Sequence, residues 1–168
     1  MVKDKKIIPV YYWDSGVFSA YINQEADRWR IVQSMLEECN AGNIEIWTST
    51  LSITEVASDK EGIGKVLSID IEDRINSLWT PPSQIKLIEV SEKVCRQARG
   101  VIRHIHANNQ RGIRSMDAIH IGSAIQKGIK EIHTFDDITK FADILGIKIT
   151  APKLIEPKFI YKEKNEEK

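Results

Sequence analysis

Two hydrophobic periods alternate along this chain. Residues 7–13, 44–48, 85–90, 131–135 and 147–149 are short runs, apolar throughout or alternating in period two, and rich in β-branched and aromatic side chains; they predict strands. Pro9 lies near the start of the first, where a missing N–H does least harm. Between these runs apolar residues recur three and four apart. Val17, Phe18, Tyr21 and Ile22 predict a first helix, and Trp29, Val32, Leu36 and Cys39 a second that begins near Glu25 and stops at Asn40-Ala41-Gly42.

Residues 52–56 turn helical after the second strand, and a further helix is predicted over 69–78, closed by Thr80-Pro81-Pro82. Ser91 caps a long helix that buries Val94, Ala98, Val101, Ile102 and Ile105. After a polar break at 108–114, Ser115 is the expected N-cap of a helix through Ala118, Ile121 and Ile125, ending at Lys127-Gly128. Residues 138–145 form a last helix before Gly146. Strands alternating with helices of this length predict a three-layer α/β/α fold, with a central, mostly parallel sheet covered on both faces. The reading is one domain over 1–152 and a partly disordered tail over 153–168, whose end Lys-Glu-Lys-Asn-Glu-Glu-Lys cannot build a core.

Composition narrows the function classes. The chain has 168 residues, 42% hydrophobic and 29% charged, which suits one soluble domain. Net charge is zero, so any polyanionic partner must be met by a local patch. Cys39 and Cys95 have no metal-site or disulfide-framework spacing. The apolar run at 7–13 is interrupted by Pro9 and too short for a signal core or a membrane span. A cytoplasmic protein without a membrane partner is expected.

In parallel open sheets, ligands meet the carboxyl ends of the strands. Asp14 ends the first strand and Asp136 the 131–135 strand, while Glu55 and Asp117 fall near the starts of helices. Four carboxylates on one rim repel one another, and burial increases the penalty. A hard divalent cation such as Mg²⁺ relieves it, activates water and stabilises charge on a phosphodiester.

The ordered segments Tyr12-Trp13-Asp14-Ser15-Gly16-Val17, Ser49-Thr50-Leu51-Ser52-Ile53-Thr54-Glu55-Val56, Ser115-Met116-Asp117-Ala118-Ile119-His120 and His133-Thr134-Phe135-Asp136 resemble the PIN-domain nucleases, including the toxin halves of toxin–antitoxin pairs. The likeness spans about residues 7–149. It implies a PIN-like fold and an endoribonuclease of single-stranded RNA. Asp14, Glu55, Asp117 and Asp136 would be its catalytic, metal-binding acids, Mg²⁺ or Mn²⁺ its cofactor, and Thr134 a hydroxyl that orients the last acid or a metal-bound water. Two features depart from the pattern: a long stretch between Glu55 and the strand at 85, and Asp137 beside Asp136, which leaves the fourth position open between the two.

Residues 93–114 carry Lys93, Arg96, Arg99, Arg103, Arg111 and Arg114 and no acid. Arg96, Arg99 and Arg103 share a helix face, and Arg111 and Arg114 lead to Asp117, so this strip is the expected RNA track. His120, one turn after Asp117, reads as a surface or packed histidine, and the four tryptophans read as core. Expected partners are RNA, an antitoxin protein and a second copy in a homodimer. The rival readings are a protein-binding module of the same fold and a catalytically silent RNA binder.

Overall fold

The period-two runs become five strands of one sheet, all paired in parallel in the order β3-β2-β1-β4-β5. The computed structural model describes residues 7–58 and 66–155. The elements are β1 (Val10–Trp13), α1 (Ser15–Ile22), α2 (Trp29–Asn40), β2 (Glu45–Ser49), α3 (Leu51–Glu55), α4 (Ile69–Trp79) and β3 (Lys86–Ile88). They continue with α5 (Glu92–Ala107), α6 (Ser115–Lys127), β4 (Glu131–His133), α7 (Ala142–Leu145) and β5 (Lys148–Thr150). The expected three-layer α/β/α fold with a central parallel sheet is what the chain adopts. The tail after 155 and the basic residues Lys60 and Lys65 lie outside the described residues.

Alternation along β1 separates the two layers. Tyr12 joins Ala98, Val101, Ile105, Ala118 and Ile121 on the face covered by α5 and α6. Trp13 joins Val17, Phe18, Val32, Met35 and Ile75 on the face covered by α1, α2 and α4. Trp47 and Trp79 are only partly buried and pack against these clusters, whereas Trp13 lies fully within one. Trp29 is half-buried, with the Arg30 guanidinium 5.6 Å from its ring centroid.

Several predicted boundaries shift. The first strand starts at Val10, after an exposed stretch at 7–9. Helix α2 starts at Trp29, since the preceding residues form a turn. Helix α3 is only five residues long, so Glu55 ends it rather than opening it. The last helix shrinks to Ala142–Leu145 behind a 3-10 turn at Thr139–Phe141. Arg114, not Ser115, occupies the N-cap of α6, with extended backbone angles, and Asp117 Oδ2 accepts its N–H at 3.4 Å. Among the described residues no helix is long and apolar enough to cross a membrane.

Strand order places the functional rim. From β1 the chain builds outward through β2 and β3, then returns through α5 and α6 to lay β4 on the other side of β1. Connections leaving β1 and β4 therefore diverge, opening a crevice at their carboxyl ends. The return depends on close packing of α5 on α6, where Gly122 lets the backbones approach. A Cβ at Gly122 would lie 2.9 Å from the Ala98 backbone nitrogen.

That contact predicts opposite outcomes for two glycines. Gly122→Ala should destabilise the protein by about 1–3 kcal/mol, because overpacking against backbone outweighs the gain in helix propensity. Gly100, in α5 with nothing within 4 Å of its Cβ position, should become more stable as alanine, by up to about 1 kcal/mol. Urea denaturation of the two variants checks both signs.

Candidate active site

Asp14 leaves β1 and at once caps α1. Its backbone N–H donates to the His133 carbonyl at 3.3 Å, extending the β1–β4 pairing by one residue. Its Oδ1 accepts the Val17 N–H at 3.2 Å. One residue thus ends a strand, starts a helix and turns its carboxylate into the crevice. The residue is only 4% exposed. Burial pushes its carboxyl up to about 6, and the Asp136 charge adds to this against the hydrogen bonds from Thr134 and the Val17 N–H.

Thr134 links the two strand ends. Its buried hydroxyl accepts the Asp136 N–H at 2.9 Å and bonds to the Asp14 carboxylate. The hydroxyl thus touches both acids. Asp136 faces the cleft, whereas Asp137 points outward to Lys140 at 2.7 Å. The ambiguity between these neighbours is geometric, and only Asp136 lines the crevice with the other acids.

Asp117 sits in the first turn of α6, where the helix dipole favours negative charge. Arg114 grips it with two bonds: Nε to Oδ2 at 2.9 Å and a terminal nitrogen to Oδ1 at 3.0 Å. The same terminal nitrogen reaches Asp136 Oδ2 at 3.5 Å. Arg114 therefore belongs to the acid cluster as well as to the end of the basic strip. Its side chain remains 70% exposed at the rim.

Glu55 comes from α3 and bonds to Ser15 and His120, the latter through Nε2 at 2.7 Å. Burial works against its charge, but the hydrogen bond from His120, with help from Ser15 and Arg114, holds the carboxyl below its usual range. His120 is 2% exposed, which corrects the surface reading while leaving it a packed residue with a polar task. Its place one turn after Asp117 was the available signal, since residues three apart share a helix face.

All four acids line one cleft of about 320 Å³ together with Ser15, Gly16, Ser19, Arg114, Met116 and His120. Among the described residues, no three His, Cys, Asp or Glu side chains stand in ligand geometry around one point. The donor set nevertheless suits a divalent cation: four oxygen-bearing acids face one guanidinium, and two of the acids, Asp14 and Asp117, are buried. Gly16 supplies a second indication of fit. A Cβ there would stand 3.3 Å from Asp14 Oδ1 and 3.7 Å from Asp136 Oδ2, so the absent side chain leaves a gap on which both oxygens converge.

The basic strip is exposed on α5, as expected for Arg96, Arg99 and Arg103. Arg96 is not free within it, because it pairs with Glu92 at 2.6 Å, one residue before the acid-free window. Arg111 lies in the loop before α6 and lines a shallow cavity with His106, Asn109 and Gln110.

A family model described as PIN domain matches residues 11–144. No curated protein sequence matches the chain. Among solved structures, VapBC2 from Rickettsia felis, bound to a promoter DNA fragment, aligns with a TM-score of 0.60 at 19% identity, covering 83% of this chain and 96% of that one. VapC20 of Mycobacterium tuberculosis, described as a toxin cleaving the sarcin-ricin loop, gives 0.57 at 16% identity, covering 79% and 94%. DNA-bound VapBC from Salmonella typhimurium gives 0.59 at 13% identity, covering 85% and 97%. At these identities the likeness establishes the shared fold.

The burial of Asp14 has a consequence for pH. Its carboxyl keeps its proton up to about 6 when folded, against 3.8 for the free group. The folded protein thus binds more protons across that interval, and stability falls as pH rises through it, by at most about 3 kcal/mol. In EDTA, urea denaturation between pH 4 and 7 should show this decline in the parent protein. Asp14→Asn retains the helix cap without the charge, so its profile should be flatter and the variant relatively more stable at pH 7. Parallel profiles would contradict the burial argument.

Proposed function

The chain belongs to the PIN-domain family, and on that premise we propose that it is a divalent-metal-dependent endoribonuclease acting on single-stranded RNA. The observation that carries the reading is the single cleft lined by Asp14, Glu55, Asp117 and Asp136, which arrive from four separate segments. Structural ion-pair networks balance their charges, but this cleft sets four acids against one guanidinium at the mouth of a parallel sheet. Mg²⁺ or Mn²⁺ bound there supplies a Lewis acid for the phosphodiester and a means of activating water.

The protein's own groups divide the remaining work. Asp14, Asp117 and Glu55 would hold the cation, with Asp136 as the fourth acid of the set. Thr134 keeps Asp14 and Asp136 in register through its two bonds. Arg114 is anchored on Asp117 yet exposed at the rim, so its free N–H groups can meet a phosphate oxygen entering the cleft. Arg111, Arg103 and Arg99 extend that positive track along α5, with Arg96 weakened by Glu92. Such a track binds backbone phosphates without reading sequence.

A toxin–antitoxin role is the second reading. Structures similar in fold include a toxin–antitoxin complex from Klebsiella pneumoniae and a member of the VapBC family of toxin–antitoxin systems from Mycobacterium tuberculosis, and they favour an antitoxin partner for this chain. In that reading the nuclease stays inhibited within the complex, and a homodimer of this chain is its assembly unit. Exposed Met116 beside Asp117 gives the cleft mouth an apolar contact for such a partner.

Cleavage of an RNA panel with Mg²⁺ or Mn²⁺, and its loss in EDTA, tests the main reading. Asp117→Asn should reduce turnover at least about a hundredfold while the protein remains folded, in line with the loss of a group that acts on the reacting centre. Asp136→Asn should cost more activity than Asp137→Asn, whose carboxylate faces away; the opposite ranking would remove Asp136 from the site. Persistent cleavage in EDTA would remove the metal.

The strip has its own test. Replacing Arg96, Arg99 and Arg103 together with Gln should weaken binding of every RNA sequence. It should also flatten the plot of log affinity against log salt by up to about 0.7 per lost phosphate contact, the single-strand value. An unchanged slope would leave these arginines as an ordinary solvated helix face.

A further inference from the structure

The cleft does not end at its acids. Behind Glu55 a chain of buried polar groups runs through the core to the backbone of β2. The Ser49 N–H donates to the Tyr12 hydroxyl at 3.1 Å, the hydroxyl meets His120 Nδ1 at 2.8 Å, and His120 Nε2 meets Glu55 Oε2 at 2.7 Å. Ser49 and Tyr12 are 0% exposed and His120 is 2% exposed. Buried polar groups are costly unless each has a partner, so a continuous file of them in an apolar layer calls for a reason.

Directions in this file follow from chemistry. The Ser49 amide can only donate. An ionised Glu55 oxygen can only accept, so the short contact requires the proton of His120 to sit on Nε2. In the neutral imidazole Nδ1 is then the acceptor, so Tyr12 offers its own proton to it, and burial pushes the phenol up so that this proton is retained. Every link runs one way, from the sheet outward to Glu55.

Glu55 needs such support. It is the last residue of a five-residue helix whose C-cap, Val56, leaves helical geometry with φ −96° and ψ 52°. A single helical turn is poorly self-sustaining, so the direction of Glu55 depends on what holds its side chain. His120 stands on the thirteen-residue α6, one turn beyond Asp117. A rigid element that already carries one acid thereby aims a second.

We infer that His120 is a positioning residue that orients Glu55 toward the shared cleft, with its tautomer set by the Tyr12 hydroxyl and the Ser49 amide. The inference rests on the metal-binding reading of the cleft and adds to it a mechanical link from the sheet to one carboxylate. Groups that orient a ligand from behind commonly change metal affinity 10–100-fold when removed.

Mn²⁺ alone is the probe, titrated into the full-length protein at fixed pH and followed by electron paramagnetic resonance of the free ion. His120→Leu retains bulk without a donor and should weaken Mn²⁺ binding about 10–100-fold. His120→Gln, which carries an N–H at a similar reach, should recover most of that loss. In a Glu55→Ala background, His120→Leu should cost nothing further, because there is no carboxylate left to aim. Should the leucine variant fail to fold, Tyr12→Phe removes only the hydroxyl and should still weaken Mn²⁺ binding, by about tenfold at most. Equal losses with and without Glu55, or parent-like Mn²⁺ affinity in the leucine or phenylalanine variant, would reduce His120 to packing and overturn the inference. A parent protein that binds no Mn²⁺ would overturn the metal reading and this inference with it, an outcome that the parent titration distinguishes from the others.

Discussion

A carboxylate buried at the end of the central strand is the constraint to which the rest of the site answers. Asp14 is enclosed where β1 meets α1, and an ionised carboxylate there loses most of its hydration. Its position is not open to easy relief. The same residue pairs with β4 through its backbone and caps α1 through its side chain, so turning it outward would disturb two elements. Charge at that point is therefore stabilised locally or suppressed, and the raised pKa records that balance.

Three devices share the task. Thr134 bonds the carboxylate and holds Asp136 nearby, Arg114 neutralises Asp117 from the rim, and His120 engages Glu55 from the core. Each device serves particular acids, and together they leave an excess of negative charge facing the gap over Gly16. That excess distinguishes the cleft from a structural ion-pair network. Ser15, Gly16 and Ser19, which also line the cleft, leave room beside the acids without adding charge.

The surroundings of the cleft divide recognition from chemistry. A neutral chain gains affinity for a polyanion only from an uneven surface, and the arginines of α5 and the following loop provide that unevenness. Their partial neutralisation by Glu92 moderates it at the end of α5 farthest from the α5–α6 loop. Arg114 stands at the junction, both counter-ion to Asp117 and the last member of the strip. In the proposed nuclease, the handover of a phosphate from strip to cleft passes over this one side chain.

Local sequence determined much of this protein by itself. Period-two and period-3.6 runs located every strand and most of the helices, because burial on one face leaves its mark within a few residues. Asp14 and Asp136 were legible as acids just after strands, and Thr134 and Asp117 by their place in the resembling segments. Tertiary structure decided what local pattern cannot carry. The order β3-β2-β1-β4-β5 sets Asp14 beside Asp136, and a packed return through α5 and α6 brings Asp117 to them. Whether Asp136 or Asp137 faces inward depended on the turn after β4, and the orientation of Arg114 on the acids it reaches. His120 was the least legible, since its meaning lies in Tyr12, 108 residues away, and Glu55, 65 residues away. A side chain's periodicity reports only whether it is turned toward the interior; which polar groups wait for it there depends on how distant elements pack.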